Sequence, residues 1–236
     1  MIVLIIPDVH LKPYMFTRAA ELMRSGIAET AICLMDIADD WHQQFNIDLY
    51  IYTYDAAIAF AKEFPETLWC YGNHDLSYEW QKKESGYSII APHTVCTKLH
   101  ELRESLPDIS QISFIHKIDN VLFMHGGLTH DFVYNFVPHN MYSDEGAVIE
   151  QINLYDSWPM WQDLSPLWYR PQYGSLKMYK PRKLLQVVGH TPVREINRKE
   201  NVLSCDVFSL SPSRQPSGSQ EFTLLETKTW EWKGIR

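Results

Sequence analysis

Thr67-Leu68-Trp69-Cys70-Tyr71-Gly72-Asn73-His74-Asp75 is the stretch on which the fold turns. Its first five residues form a short run rich in apolar side chains that stops at a glycine, the composition of a buried strand. The residues beyond that glycine are uncommon at a strand end. A Gly-Asn turn can serve a hairpin, yet here it closes a buried run and leads at once into a His-Asp pair, side chains that hold metals and move protons.

The same arrangement recurs outward in both directions. Ile2 to Ile6 leads into Asp8 and His10, and Ala31 to Met35 leads into Asp36. Val121 to Met124 leads into His125-Gly126-Gly127, and Leu184 to Val188 into Gly189-His190-Thr191. Runs of four or five apolar residues bounded by Gly, Pro or Asp suit buried strands better than helices. Between them lie stretches with helical spacing: Phe16, Ala19 and Met23 before Gly26, then Leu49, Ala56, Phe60 and Phe64 before Pro65, then Val95, Leu99, Leu102 and Leu106 before Pro107. Strand, helix, strand in that order predicts an α/β fold, a sheet covered by helices, in which ligands collect beyond the carboxyl ends of the strands. All five candidate groups fall at that end. Further on, Asn201 to Cys205 before Asp206 reads as another strand, with Phe222 to Leu225 pairing beside it.

A two-metal hydrolytic site needs several oxygen and nitrogen ligands and one carboxylate that bridges both ions. Asp8 and His10, two apart on a strand end, project to the same side. Asp36 offers two oxygens and is the natural bridge; Asn73 can give an amide oxygen, and His125 and His190 neutral imidazole nitrogens. Oxygen and nitrogen without thiolate fits two divalent ions, Mn²⁺ foremost, with Fe, Zn²⁺ or Mg²⁺ as alternatives. Singly, each signal has an ordinary reading. An Asp-x-His pair is also a turn with a capping Asp, and one histidine near a strand end is also a hydrogen-bonded structural residue.

Order and joint occurrence decide between these readings. Asp-x-His, Asp-x-x-Asp, Gly-Asn-His-Asp, His-Gly-Gly and Gly-His-Thr-Pro, met in that sequence from residue 8 to residue 192, resemble the calcineurin-like metallophosphoesterase superfamily. His-Gly-Gly with a terminal Gly-His-Thr-Pro is similar to the branch of serine/threonine phosphoprotein phosphatases and symmetrical diadenosine tetraphosphate hydrolases. The resemblance implies a four-layer α/β/β/α sandwich, two mixed sheets flanked by helices. It implies Asp8, His10 and Asp36 on one metal and Asp36, Asn73, His125 and His190 on the other. It also implies His74 as the general acid that protonates the departing oxygen, oriented by Asp39. Those roles make physical sense, since a leaving alkoxide needs a proton and a carboxylate beside an imidazole favours its protonated form. Substrate phosphate would be met by Asn73 and by Arg170, because Trp168-Tyr169-Arg170-Pro171 resembles the Trp-x-Arg-Pro segment of bacterial relatives.

The chain departs from that pattern in two places. The family's Gly-Asp-x-x-Asp-Arg-Gly reads Met35-Asp36-Ile37-Ala38-Asp39-Asp40-Trp41, so an acid stands where a phosphate-gripping arginine is expected. In the first motif Pro7 and Leu11 replace glycines. Asp75, Glu in many relatives, reads as a structural carboxylate.

The 236 residues can bury a sizeable core. No Pro/Gly/Ser-rich linker divides the chain, which reads as one domain over 1–236, with Ser209 to Ser219 as a surface loop. Within 129–183 no strand is evident; its Trp158, Trp161, Trp168, Tyr155, Tyr169, Tyr173 and Tyr179 form either a substrate-side insertion or a satellite core. A net charge of −8, with no basic cluster, opposes nucleic-acid binding. Cys33, Cys70, Cys96 and Cys205 show no CxxC pair and read as reduced thiols. The five-residue apolar run at the start is too short for a signal peptide or a membrane span. A cytoplasmic protein without membrane partners is expected, acting on a phosphorylated small molecule, nucleotide or phosphoprotein. The expected function is a phosphomonoesterase in which a hydroxide bridging two metals attacks in line. A dinucleoside polyphosphate hydrolase, with aromatic residues of 155–179 stacking on a base, and a catalytically weakened binding scaffold are the competing readings.

Overall fold

A computed structural model describes residues 1–211 and 213–236. Pro212, inside the stretch read as a surface loop, lies outside the described residues. The elements run along the chain as β1 (Ile2–Ile6), α1 (Tyr14–Arg24), β2 (Thr30–Cys33), α2 (Ile47–Glu63), β3 (Leu68–Cys70), α3 (Asn73–Glu79) and α4 (Pro92–Ser105). Then come β4 (Ile112–Ser113), β5 (Ile115–Ile118), β6 (Val121–Met124), α5 (His130–Phe136), α6 (Glu145–Asn153) and α7 (Ser157–Met160). The chain ends with β7 (Leu185–Val188), β8 (Asn197–Lys199), β9 (Val202–Ser204), β10 (Phe222–Glu226) and β11 (Trp232–Ile235).

Two mixed sheets result. One has the order β11-β10-β1-β2-β3-β4, parallel from β1 to β4 and antiparallel at β10 and β11. The other has the order β5-β6-β7-β9-β8, with β6, β7 and β9 parallel. The period of two along β6 shows how they stack. Val121 and Phe123 join a core shared with the first sheet and with α1, α2 and α4. Leu122 and Met124 face the other way, into a second core with Phe132 and Val133 of α5 and Val148, Ile149 and Ile152 of α6. Helices, sheet, sheet, helices is the four-layer α/β sandwich expected.

Two of the long helices start as their sequences suggest. Asn46 accepts from the Leu49 amide to start α2, and Pro92 opens α4 at a position where a missing N–H costs nothing. One expected pairing is wrong. Phe222–Glu226 does not lie beside Val202–Ser204; it crosses to the first sheet and pairs with β1 and β11. Both edges of β9 are already taken, by β7 and β8.

The aromatic-rich stretch 129–183 contributes mainly to the second core. Tyr169 and Tyr179 are buried in it, and Tyr155, Trp161 and Trp168 pack against it. Cys33, Cys70 and Cys205 are buried free thiols, and Cys96 is a partly buried one. No helix of the described residues is long and apolar enough to cross a membrane.

Candidate active site

The loops leaving the carboxyl ends of β1, β2, β3, β6 and β7 meet at one edge of the two sheets. They bring Asp8, His10, Asp36, Asn73, His125 and His190 into two overlapping groups. Asp36, His125 and His190 have ligand atoms within 4.8 Å of one another, as do Asp8, His10 and Asp36. Asp36 belongs to both. Its Oδ1 accepts from the His74 backbone N–H at 2.9 Å, which leaves Oδ2 facing His125 Nε2 at 3.1 Å and His10 Nε2 at 3.8 Å. One oxygen thus stands between the two groups.

Backbone carbonyls fix the histidine rings. His125 Nδ1 lies 2.9 Å from Leu34 O, and His10 Nδ1 lies 3.2 and 3.0 Å from the Ala38 and Asp39 carbonyls. Each ring then presents Nε2 to the site, the arrangement that orients metal-binding imidazoles. His125 Nε2 sits 2.9 Å from Asn73 Oδ1 and 3.1 Å from His190 Nδ1, so the second group closes around one point. Asp8 Oδ2 accepts from the His190 N–H at 2.8 Å. Its Oδ1 and His190 Nε2 are buried without any hydrogen-bond partner. Buried polar atoms rarely stay unpaired, and an orphaned carboxylate oxygen on Asp8, grouped with His10 and Asp36, fits a cation in this position; His190 turns Nδ1, not Nε2, to the second group.

The electrostatics divide the histidines: burial lowers the His125 pKa, but Asp36 and Asp8 outweigh it and raise it to about 9. Burial lowers the His10 pKa to about 3, which keeps it neutral as a ligand must be. Burial raises the Asp8 carboxyl well above its usual value, helped by Asp206. For Asp36 burial pushes the same way, but His125, His74 and His10 outweigh it and hold the carboxyl below the usual range.

The backbone is bent hard to achieve this. His10, Leu11, Met35, Asp36, Asp39 and His190 all adopt positive φ, between 41° and 67°. Leu11 and Met35 do so where the family pattern has glycine. Each such residue costs about 1–2 kcal/mol, and cross-loop hydrogen bonds hold them: Val9, His10 and Leu11 N–H groups donate to the Met35, Asp36 and Ile37 carbonyls. Asp75 anchors the second loop from below, accepting from Ile37 and Ala38 N–H and from Tyr54 Oη at 2.6 Å. Two glycines let these loops approach the candidate carboxylates. A Cβ on Gly72 would lie 2.1 Å from Asp36 Oδ1, and one on Gly189 would lie 2.0 Å from Asp8 Oδ1.

Beside these two groups stand His74 and Asp39. His74 Nδ1 lies 2.9 Å from Asp39 Oδ2, and Asp39 also accepts from Tyr50 Oη at 2.8 Å and from Tyr78 Oη. Burial alone would lower the His74 pKa, but Asp36, Asp39 and Glu84 override it and raise it to about 10. The ring is therefore protonated, with Nε2 left for the cleft.

The cleft has a volume of about 590 Å³. Arg170 lines it, its guanidinium donating to His190 O at 2.5 Å and Thr191 Oγ1 at 3.4 Å. His-Gly-Gly places that arginine: Gly126 and Gly127 N–H groups bind the Pro166 and Tyr169 carbonyls at 2.7 and 2.9 Å. Asp40, at the position of the missing arginine, also lines the cleft. Asn73 does not line the cleft itself; its amide nitrogen donates to Glu84, which does.

Several lining groups have no counterpart in the sequence reading: Lys12, Trp41, Glu84, Asp206, and Ser209, Leu210, Ser211 and Ser217 of the supposed surface loop. Only Asp206 had a signal, coming after β9 as the candidate ligands come after other strands. The sequence profile of the calcineurin-like phosphoesterase family matches residues 1–211.

This chain belongs to the calcineurin-like phosphoesterase family. As a calcineurin-like phosphoesterase it is a metal-dependent hydrolase of phosphoester bonds. Solved structures share the fold at low identity. A cold-active protein-tyrosine phosphatase of a psychrophilic Shewanella species has 17% identity and a TM-score of 0.57, covering 100% of this chain and 80% of its own. A protein serine/threonine phosphatase from Saccharomyces cerevisiae has 15% identity and a TM-score of 0.52, covering 95% and 72%. A comparison with curated protein sequences gives no match.

Proposed function

We propose that this calcineurin-like phosphoesterase is a two-metal phosphomonoesterase. The observation that carries the reading is Asp36 Oδ2, shared between two groups of donor atoms, one of which includes Asp8 with its orphaned Oδ1 and the other His190 through Nδ1. Asp8, His10 and Asp36 would hold one ion and Asp36, Asn73, His125 and His190 the other. When bound, two divalent ions, Mn²⁺ foremost, supply an activated water and neutralise phosphate charge. The chain's own residues do the rest. Arg170 takes a phosphate oxygen and sets its orientation. His74, kept protonated by Asp39, gives its Nε2 proton to the leaving oxygen; the imidazole, then neutral, recovers a proton from solvent.

Trp41 and Trp168 stand on the cleft wall, within 5.4 Å, ring to ring, of His74 and His190. Flat side chains beside the reacting centre favour a leaving group with a ring, which keeps a nucleotide substrate as the second reading. Turnover of a dinucleoside tetraphosphate against a phosphopeptide separates the two.

The test of the leading reading is hydrolysis of p-nitrophenyl phosphate by metal-stripped protein with Mn²⁺ added back, beside Asp36→Asn. Activity that requires metal and vanishes in the variant is the expected result. No activity with any divalent ion, despite measured metal binding, overturns it.

A further inference from the structure

An asparagine that ligates a metal has a problem that an aspartate does not. Its amide has two ends of nearly equal shape, and only the oxygen can face a cation. Asn73 is fully buried, so nothing from solvent chooses between the two orientations. Something in the protein must.

We infer that Glu84 is the positioning residue that selects the ligating orientation of Asn73. Its carboxylate accepts both hydrogens of the Asn73 amide, with Nδ2 at 2.9 Å from one oxygen and 2.8 Å from the other. The Glu84 side chain is 12% exposed, so these bonds are little diluted by water. Both Glu84 oxygens accept from the same amide nitrogen; turned by half a rotation, Asn73 would place its oxygen against them and lose both bonds. In the observed orientation Oδ1 instead meets the point where His125 Nε2 also ends, 2.9 Å away.

Glu84 is itself held firmly for this task. After α3 the chain reverses through Gln81, at φ 55°, and Lys82 N–H returns to Ser77 O at 2.8 Å. Beyond Glu84, Ser88 N–H binds Tyr78 Oη at 2.8 Å and Ser88 Oγ binds the Gln44 carbonyl. The loop is pinned to the helix that carries Asn73 and to the loop that carries Asp39. The Glu84 carboxylate stands 3.9 Å from His74 Nδ1, but Asp39, at 2.9 Å, is the partner of that ring. Its strongest bonds are those to Asn73.

The inference rests on the proposed role of Asn73 as a ligand, and the experiment separates the two. Mn²⁺ binding is titrated calorimetrically in the wild type, Glu84→Gln, Asn73→Asp, and Asn73→Asp with Glu84→Gln. Gln at 84 keeps the shape but can face either end of the amide. Asp at 73 offers oxygen whichever way it turns. Two Mn²⁺ ions per wild-type chain are expected, and Glu84→Gln should weaken one of them about 10–100-fold, the usual loss when a ligand's supporting partner is changed. In the Asn73→Asp background the same Glu84→Gln change should cost nothing or improve binding. Fewer than two ions in the wild type overturns the two-metal reading. Two ions in the wild type with Glu84→Gln unchanged, or an equal loss in both backgrounds, overturns the role of Glu84.

Discussion

Asp39→Asn removes the charge beside His74 while the side chain keeps its shape. Asp39 is completely buried and holds three donors: the His74 ring, Tyr50 Oη and Tyr78 Oη. A hydrogen bond to a charged group is worth about 1.5–3 kcal/mol against about 0.5–1.5 for a neutral one, so His74 loses roughly 1–1.5 kcal/mol of preference for its protonated form. One pKa unit corresponds to about 1.36 kcal/mol, so the fall is about one unit. The sign is definite. The His74 pKa is raised, to about 10, so proton donation is complete at low pH and fades as pH rises through that value. Without the Asp39 charge the fade begins about one unit lower. The assay is the pH profile of kcat/KM for p-nitrophenyl phosphate with Mn²⁺ saturating. Bound cations shift both profiles alike, so the difference between the two proteins is the prediction. A uniform loss at every pH, with the alkaline limb unmoved, would refute the pairing of His74 with Asp39 as the source of the acid.

Two other changes probe the frame and the substrate side. Gly189→Ala sets a methyl 2.0 Å from Asp8 Oδ1, an overpacking that should cost about 1–3 kcal/mol in urea unfolding and weaken Mn²⁺ binding; unchanged metal affinity would show that Asp8 is not a ligand. Arg170→Ala should lower kcat/KM by about 10–100-fold, chiefly through KM, as loss of a charged hydrogen bond to phosphate does. Equal kcat/KM in the two proteins would remove Arg170 from the phosphate site.

Much of this was legible because the deciding features are local. At β1, β2, β3, β6 and β7 an apolar run and the residue it delivers are neighbours in sequence, so strand and candidate ligand could be read together. What pairing decides was not legible. Asn197–Lys199 has no apolar residue and is a strand only because β9 lies beside it. Phe222–Glu226 is buried on both faces, which fits a strand inside a sheet, but nothing local says which sheet. Leu11 and Met35 illustrate the opposite failure. Their positions call for glycine by local rules, and tertiary hydrogen bonds hold them at positive φ regardless. Glu84 had no signal at all: it lies in a polar stretch, eleven residues beyond the asparagine it holds.

The rungs between the loop after β1 and the loop after β2 make those loops one rigid piece, continuous with the strands below them. Asp8 and His10 ride on one side of it and Asp36 on the other. The gap between their carboxylates is therefore measured out by strand spacing, about 4.8 Å between neighbours, and not by rotamer choice. The sheet serves as the ruler of the site. A slip of one residue between β1 and β2 would turn the alternation of their side chains and move the ligands out of register, even if the core still closed around it.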